Sequence, residues 1–167
     1  VGATTEIEMK DKKERVSDAV AATKAALEEG IVPGGGTTLL KARKAILSLM
    51  KDLKEEEKIG AQILFDALAE PVKRIASNAG AEATLVLEKI ENSKDSAYGL
   101  NVLTMKYGSM IDEGIIDPTK VTRSAVQNAT SVGMMVLTTE ALVTDIPEKK
   151  ESPMPGGMPG GMGGMDY

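Results

Sequence analysis

The sequence predicts a mainly α-helical fold with a small β element. Apolar and small residues recur at spacings of three and four along most of the chain, and helix-starting and helix-ending residues separate these runs. Residues 92–117 break the pattern, because glycines divide them into short apolar pieces. With 167 residues the chain is long enough for one domain with a buried core.

Composition excludes several classes of function. The chain has no His and no Cys, which excludes disulfides, thiol chemistry, Cys/His zinc sites and histidine-dependent nucleophilic catalysis. A net charge of −5 with 2% aromatic residues disfavours nucleic-acid binding. Any metal would be a hard cation on carboxylates. Because neither a signal peptide nor an apolar run of about 20 residues is visible, we expect no membrane partner and a cytoplasmic location.

The first predicted helix covers residues 6–29. Thr5 and Glu8 have the form of a capping box, and Gly30 follows as an end signal. The first half of this helix is almost entirely charged and is expected to be solvated. The second half is expected to pack through apolar and neighbouring residues at helical spacing, namely Val16, Val20, Thr23, Leu27, Ala19 and Ala26.

Four further helices and a break are predicted in the middle of the chain. Residues 31–36 form the break, and Thr37 or Thr38 caps a helix that packs through Leu39, Leu40, Ile46, Leu47 and Met50. The mixed charges of residues 51–58 are typical of a solvated connection or an exposed helix start. The helical run from residue 59 to 79 divides at Pro71, because a proline inside a helix costs about 3 kcal/mol. A short helix follows over residues 83–90.

The C-terminal part is predicted to combine strands, one long helix and a tail. Tyr98, Val102, Met105 and Tyr107 favour short strands or a hairpin. Asp117 is expected to cap a helix that starts at Pro118, runs to about residue 140 and packs through Val121, Ala125, Ala129 and Val132. Residues 141–146 are predicted to form a closing strand. Residues 148–167, with their Gly-Gly-Met repeats, are predicted to be disordered.

Three features could carry chemistry. The glycines at 34–36 precede a helix start, where a phosphate or ribose could approach the backbone. Their spacing matches neither the dinucleotide-binding nor the P-loop fingerprint. A plain loop is therefore the simpler interpretation. Asp18 lies away from the Val16–Val20 stripe, and its face carries Ala21, Ala22 and Ala25. A carboxylate with such small neighbours could orient a water molecule, and a solvated acid is the simpler interpretation.

Asp117 is the third feature. While one oxygen caps a helix, the second could accept a bond from a ligand hydroxyl. Asn101, by contrast, is ordinarily a turn residue. The residues themselves therefore predict a mostly helical domain with two carboxylates and a glycine loop of uncertain purpose.

Several motifs resemble the group I chaperonin (GroEL) family, in order and over essentially the whole chain. They are VGATTE at 1–6, RVSDA at 15–19, EEGIVPGGG at 28–36, GIIDPTKVTR at 114–123 and the Gly-Gly-Met tail. The DPTKVTR string together with the tail is the most specific. The resemblance is to the C-terminal third of a subunit, and the chain begins at Val1, so we expect a fragment or a processed product.

The resemblance implies a domain organisation and an activity. Residues 1–28 would be an intermediate-domain segment, residues 29–147 the C-terminal half of a GroEL-type equatorial domain, and residues 148–167 a tail in the central cavity. The family couples ATP binding and hydrolysis, in a double ring of identical subunits, to the enclosure and refolding of unfolded proteins. Its phosphate loop, Mg²⁺ ligands and apical domain, which binds client proteins and a GroES-type co-chaperonin, match nothing in this sequence. The fragment alone is therefore expected not to hydrolyse ATP.

The resemblance also assigns residues. Asp18 would position the attacking water, and Gly34 with Gly35 would lie against the nucleotide. Asp117 would bind the ribose hydroxyls. The stretch around the adenine would be Asn101, Val102 and Leu103, where the family commonly has two alanines after the asparagine, so the slot is expected to be tighter.

Two other assignments remain open. Lys73 and Glu82 fall in the segment that resembles a ring–ring contact, although exposed charges are usually surface decoration. The rival interpretation of the chain is a non-enzymatic helical oligomerisation scaffold, in which the glycine loop and Asp117 are purely structural. A monomeric helical enzyme has little support, because nothing places a second acid beside Asp18.

Overall fold

The computed structural model describes residues 1–146, so the prediction for residues 148–167 lies outside the described residues. The elements, in chain order, are α1 (Glu6–Glu29), β1 (Ile31–Pro33), α2 (Thr37–Leu49), α3 (Glu55–Ala67), α4 (Glu70–Asn78), α5 (Ala83–Asn92), β2 (Tyr98–Asn101), β3 (Lys106–Ser109), β4 (Ile116–Pro118) and α6 (Thr119–Leu137). The predicted mainly helical fold with a small β element is confirmed. Among the described residues, none of the helices combines the length and apolar character needed to cross a membrane.

The strands form two separate antiparallel ribbons. Strands β2 and β3 make the predicted hairpin, with Gly99 opposite Gly108. Strands β1 and β4 make a second ribbon, the β1–β4 ribbon, in which Val32 lies opposite Asp117. This second ribbon was not predicted, because it pairs segments that are far apart in sequence and each only three residues long.

The core lies between α2, α4 and α5. Its buried members are Leu40, Ala69, Val72, Ala76, Val86 and Ile90, and Leu100 and Tyr107 of the hairpin pack against it. The start of α2 lies directly on the start of α4 because Gly36 has no side chain. An ideal Cβ on Gly36 would lie 3.0 Å from a methyl group of Val72 and 3.1 Å from Cβ of Pro71. Its φ of +77° also favours glycine.

The middle helices begin close to the predicted positions. Gly36, rather than Thr37 or Thr38, is the N-cap of α2, since Thr37 is already helical and buried. For the charged run at 51–58 the sequence allowed a solvated connection or an exposed helix start. The structure has the exposed helix start, since α3 begins at Glu55. Pro71 lies in the first turn of α4, where its missing N–H costs no hydrogen bond.

Helix α1 has the predicted bounds, but of the predicted packing face only Ala26 is half-buried. The Thr5 hydroxyl accepts a hydrogen bond from the N–H of Glu8 at 3.2 Å, which starts the helix as expected. Val16, Val20 and Leu27, however, are 53%, 50% and 82% exposed. The half-buried side chains are Ala22, Ala25 and Ala26, because α1 approaches β4 and α6 through small residues that allow close contact.

Asp117 does not cap α6, which corrects the sequence prediction. The residue preceding the helix is Pro118, and no side chain caps the helix start. The N–H of Thr119 instead donates to the carbonyl oxygen of Gly30 at 3.1 Å. Asp117 is held in extended backbone by its pairing with Val32, so its carboxylate is free for another purpose.

The remaining corrections concern the C-terminal region. Helix α6 ends at Leu137, before residue 140, and its half-buried side chains include Thr122 and Val126 rather than the predicted face of Val121, Ala125, Ala129 and Val132. Residues 141–146 do not form a strand, because no described strand pairs with them. Leu142, Val143 and Ile146 are accordingly exposed.

Candidate functional site

The β1–β4 ribbon brings three of the sequence-predicted site residues together. The N–H of Gly34 donates to the carbonyl oxygen of Ile115 at 2.9 Å, which continues the ribbon beyond β1. Asp117 is two residues from Ile115 and is therefore about 7 Å along the strand from this hydrogen bond. Gly34 and Gly35 lead from the end of the ribbon into α2, and Asp117, in the middle of β4 opposite Val32, lies two residues from that end.

Gly34 and Gly35 are glycines for different reasons. An ideal Cβ on Gly34 would lie 3.1 Å from both the carbonyl carbon and the oxygen of Ile115, so Gly34 is needed for close approach of the two strands. Gly35 has a φ of +66°, and apart from its chain neighbours the nearest atom to its Cβ position is a side-chain carbon of Ile115, 4.0 Å away. The backbone at Gly35 is therefore open enough for a ligand to approach it.

Asp117 is a half-buried acid. Burial raises the pKa of its carboxyl group above the ordinary value of 3.8, and no charged or hydrogen-bonding group among the described residues offsets that effect. A partly desolvated carboxylate gains most from a partner that donates hydrogen bonds to it. Asp117 is thus suited to accept hydrogen bonds from ligand hydroxyls.

The hairpin places Asn101, Val102 and Leu103 at the end of β2 and in the turn that follows. The side-chain oxygen of Asn101 accepts from the N–H groups of Leu103 at 3.0 Å and Thr104 at 3.4 Å, and its amide nitrogen donates to Glu113. Asn101 therefore has the turn role expected of its residue type. Leu103 is 92% exposed and Val102 half-buried, so both side chains are accessible to a ligand.

Sequence reasoning missed the contact between Thr37 and Gly99. Thr37 is 1% exposed, and an ideal Cβ on Gly99 would lie 2.5 Å from its hydroxyl oxygen. This contact holds the hairpin against the start of α2, beside the glycine loop. A glycine inside a strand is the signal that could have found it, because such a glycine often marks close approach of another chain segment.

Asp18 lies apart from the ribbon, on the exposed helix α1. It is 12 residues before Gly30, or roughly 18 Å along the helix axis. Ala22 and Ala25 follow it by four and seven residues and are half-buried, so Asp18 lies on the side of α1 that faces β4 and α6 farther along. Within residues 1–146, no group of three or more His, Cys, Asp or Glu residues could hold a metal ion.

Ion pairs fix α1 to the start of α6. The guanidinium of Arg123 contacts both carboxylate oxygens of Glu29, with Nη2–Oε1 at 2.7 Å and Nε–Oε2 at 3.1 Å. This contact lowers the pKa of Glu29 and raises that of Arg123. Lys120 forms a second pair with Glu28. Because both pairs join the last turn of α1 to the first turns of α6, they set the direction in which α1 carries Asp18.

The two residues assigned to a ring contact have local roles in the described part of the chain. Lys73 forms an ion pair with Glu70 at 2.8 Å, one turn back on the same helix. The carboxylate of Glu82 accepts from the N–H of Thr84 at 3.4 Å, which caps α5. Neither contact joins separate elements of the fold.

The chain matches a known protein-family model. The model of the TCP-1/cpn60 chaperonin family matches residues 1–147. The matched region includes every helix and strand described above. It also contains Asp18, the glycine loop, the hairpin turn and Asp117.

Proposed function

Because this chain belongs to the TCP-1/cpn60 chaperonin family, we propose that it is part of a group I, ATP-dependent chaperonin subunit. Family membership supports a chaperonin function and assembly into a ring of identical subunits. The assignment to group I rests on the DPTKVTR string and the Gly-Gly-Met tail. In this proposal residues 1–28 belong to the intermediate domain, residues 29–147 to the equatorial domain, and residues 148–167 to a tail in the central cavity.

The observation that carries the nucleotide-binding proposal is the half-buried Asp117 beside the glycine loop. Its carboxylate has no partner among the described residues that would lower its pKa, and ribose hydroxyls are suitable donors. The open backbone at Gly35 admits a ligand to the start of α2, where helix N–H groups favour anions. ATP, once bound, supplies the phosphoryl group whose hydrolysis drives ring conformational change.

Asn101, Val102 and Leu103 are proposed to border the adenine. Val102 and Leu103 present apolar surface at the hairpin turn, and Asn101 holds the turn in shape through its three hydrogen bonds. The contact between Gly99 and Thr37 fixes the hairpin relative to the glycine loop. Any Mg²⁺ would take its ligands from other parts of the subunit, since the described residues contain no cluster suited to a metal.

Asp18 is proposed to orient the attacking water. It lies on the side of α1 that faces the ribbon but roughly 18 Å out along the helix, so this role requires α1 to move toward the nucleotide. The ion pairs of Glu28 and Glu29 with α6 hold α1 in the orientation described here. Positioning of the nucleophile is a large part of catalysis in phosphoryl transfer.

The experiment is nucleotide binding and single-turnover hydrolysis in a ring-forming subunit that carries this chain. Asp117→Asn is expected to weaken ATP binding roughly tenfold, because a hydrogen-bonded charge is worth about 1.5–3 kcal/mol. Asp18→Ala is expected to leave binding within about twofold and to slow hydrolysis roughly 100-fold or more.

Two matched variants serve as controls. Asp112→Asn changes an exposed acid in the loop between β3 and β4, and Asp11→Ala changes an exposed acid on α1. Both are expected to behave as the unaltered protein. Unchanged ATP binding in Asp117→Asn would favour the oligomerisation scaffold. Normal turnover in Asp18→Ala would remove the proposed role of Asp18.

In the cell, the proposed partners are identical subunits in a double ring, unfolded client proteins and a GroES-type co-chaperonin, the last two through an apical domain. The proposed compartment is the cytoplasm. These proposals rest on the resemblance of the sequence motifs to group I chaperonins. Fractionation of the source cells and native mass spectrometry of the purified assembly test the compartment and the ring together.

A further inference from the structure

The carboxylate of Glu113 joins the turn of the β2–β3 hairpin to the loop that leads to Asp117. Its Oε2 accepts a hydrogen bond from the side-chain amide of Asn101, twelve residues earlier in the chain. Asn101 ends β2, and Glu113 lies in the loop of residues 110–115, between β3 and β4. The contact therefore links the segment proposed to border the adenine with the segment that carries the proposed ribose-binding residue.

The loop of residues 110–115 presents Glu113 from a defined position. Met110, the first residue of the loop, is completely buried. The N–H of Glu113 donates to the carbonyl oxygen of Ser109 at 3.2 Å. The N–H of Ile115 donates to the carbonyl oxygen of Met110 at 2.8 Å. Because these backbone hydrogen bonds close the loop on the end of β3, the Glu113 side chain starts from a fixed point beside the hairpin.

Gly108 leaves room for the Glu113 side chain to lie against the hairpin. An ideal Cβ on Gly108 would lie 3.1 Å from Oε1 of Glu113, so a side chain there would compete with the carboxylate for space. Gly108 lies opposite Gly99, and Asn101 follows Gly99 by two residues, or about 7 Å along the strand. One oxygen of the carboxylate is thus close to β3 while the other bonds to the end of β2. Two separate contacts place the group.

The Glu113 carboxylate determines which way the amide of Asn101 points. A carboxylate only accepts hydrogen bonds, so it holds the NH₂ group of Asn101 and leaves the amide oxygen for the turn. That oxygen accepts from the N–H groups of Leu103 at 3.0 Å and Thr104 at 3.4 Å. Both of these residues are exposed, so hydrogen bonding rather than packing holds the turn within the described part of the chain. Glu113 therefore shapes the turn through Asn101.

We propose that Glu113 is a positioning residue for recognition of the nucleotide base. It orients Asn101 and thereby fixes the turn that borders the base. This inference rests on the proposed nucleotide site, in which Asp117 and the glycine loop bind the ribose and the phosphates. Binding of the base consequently depends on Glu113, whereas binding of the ribose and the phosphates does not.

The test compares ATP with ribose 5-triphosphate in a ring-forming subunit that carries this chain. Ribose 5-triphosphate keeps the ribose hydroxyls and the phosphates but lacks the base. Glu113→Ala is expected to weaken ATP binding roughly threefold to tenfold, the net contribution of one hydrogen bond, and to leave ribose 5-triphosphate binding within about twofold. Competition with radiolabelled ATP measures both affinities. Unchanged ATP binding, or an equal loss for the two ligands, would overturn the proposal.

Two matched variants separate the hydrogen bond from the charge. Asp112→Ala removes the neighbouring exposed acid, and so the same charge, from the same loop, and is expected to leave both affinities unchanged. Glu113→Gln keeps an oxygen that can accept from Asn101 and is expected to bind ATP within about twofold of the unaltered protein. A loss in Asp112→Ala as large as in Glu113→Ala would contradict the proposal. So would ATP binding as weak in Glu113→Gln as in Glu113→Ala.

Exchanging the donor and the acceptor gives a second route if Glu113→Ala fails to fold, which circular dichroism establishes. Asn101→Asp alone sets two carboxylates against each other and is expected to weaken ATP binding roughly tenfold. Adding Glu113→Gln supplies an NH₂ group to the new carboxylate, and the double variant is expected to bind ATP at least roughly threefold more tightly than Asn101→Asp. No recovery in the double variant would overturn the proposal.

The same measurements separate this inference from the nucleotide site on which it rests. If ATP binding responds to Asp117→Asn but not to Glu113→Ala, the positioning role of Glu113 is wrong and the nucleotide site stands. If the unaltered ring binds no ATP, the nucleotide site is wrong and the role of Glu113 falls with it.

Discussion

The backbone of Gly34 lies in contact with the peptide group of Ile115. Its N–H donates to the Ile115 oxygen at 2.9 Å, and an ideal Cβ would stand 3.1 Å from the same group. The β1–β4 ribbon therefore continues into the glycine loop only because residue 34 has no side chain. The loop, the ribbon and Asp117 form one unit for this reason.

Gly34→Ala is expected to destabilise the protein by about 1–3 kcal/mol, because the added methyl group must push two backbone segments apart. Thermal unfolding followed by circular dichroism measures the effect. Gly60→Ala is the control: Gly60 lies inside α3, and nothing is within 4 Å of its Cβ position. There the same change is expected to stabilise by about 0.5–1 kcal/mol. Similar effects at the two glycines would contradict the close approach.

Asp117→Asn is expected to stabilise the fold at neutral pH while weakening nucleotide binding. Burial raises the pKa of Asp117 above 3.8, so the ionised group costs stability above its folded pKa. That cost disappears as the pH falls below the pKa of Asp117 in the unfolded chain, because the carboxyl group is then protonated in both the folded and the unfolded state. The variant should thus melt at a higher temperature than the unaltered chain at pH 7, and the difference should vanish near pH 3.

A gain in stability joined to a loss of binding is typical of a functional site rather than a structural one. The scaffold interpretation expects Asp117→Asn to leave nucleotide binding untouched. A lower melting temperature at pH 7 would instead show that the carboxylate has a stabilising partner in solution.

The Arg123–Glu29 pair is expected to make the stability of the fold fall at acidic pH. Arg123 lowers the pKa of Glu29 below its ordinary value of 4.5, so the contribution of the pair is fully present above pH 4.5 and is lost as the pH falls through the lower folded value. Melting temperatures from pH 7 to pH 3 should fall less steeply in Glu29→Gln than in the unaltered chain. Because both groups are exposed, the difference should shrink in high salt. The same slope in both proteins would refute the pair.

Lys41→Met is expected to destabilise the fold by about 1.5–3 kcal/mol, because hydrogen bonds to a charged group are lost. The ammonium of Lys41 donates to the carbonyl oxygens of Ile90 at 2.6 Å and Ser93 at 2.8 Å, at the C-terminal end of α5. Lys44→Met, on an exposed position of the same helix, is the control and should change stability little. Chemical denaturation with urea measures both. An equal effect in both variants would mean that the two carbonyl contacts contribute nothing.

Local sequence signals predicted the helices of this chain. The features that the sequence did not predict depend on pairing between distant segments. The bounds of α1 follow from Thr5, Glu8 and Gly30, which act within one turn of each helix end. Asp117 has the local signature of a helix cap, but its pairing with Val32, from a distant part of the sequence, holds its backbone extended. Residues 141–146 have the composition of a strand without a described strand beside them.

The candidate site was predictable in its residue types but not in its geometry. Gly34, Gly35 and Asp117 were selected from the sequence, and the β1–β4 ribbon explains why they lie together. The buried Thr37 and its contact with Gly99 were not found, because a threonine at a helix start ordinarily indicates an exposed cap. The packing face of α1 was assigned mainly to its larger residues with Ala19 and Ala26 beside them. Of these only Ala26 is half-buried, and the contact with β4 and α6 uses it together with Ala22 and Ala25.

The β1–β4 ribbon also has a consequence for the order in which the chain can fold. It joins the two ends of a loop of about 80 residues, and the entropic cost of closing a loop grows with its length. The helices α3, α4 and α5 and the β2–β3 hairpin need only partners nearby in sequence. They can form before the ribbon, which becomes favourable once the intervening segment is compact. The glycine loop and Asp117 therefore reach their final arrangement late in folding, when the two strands meet.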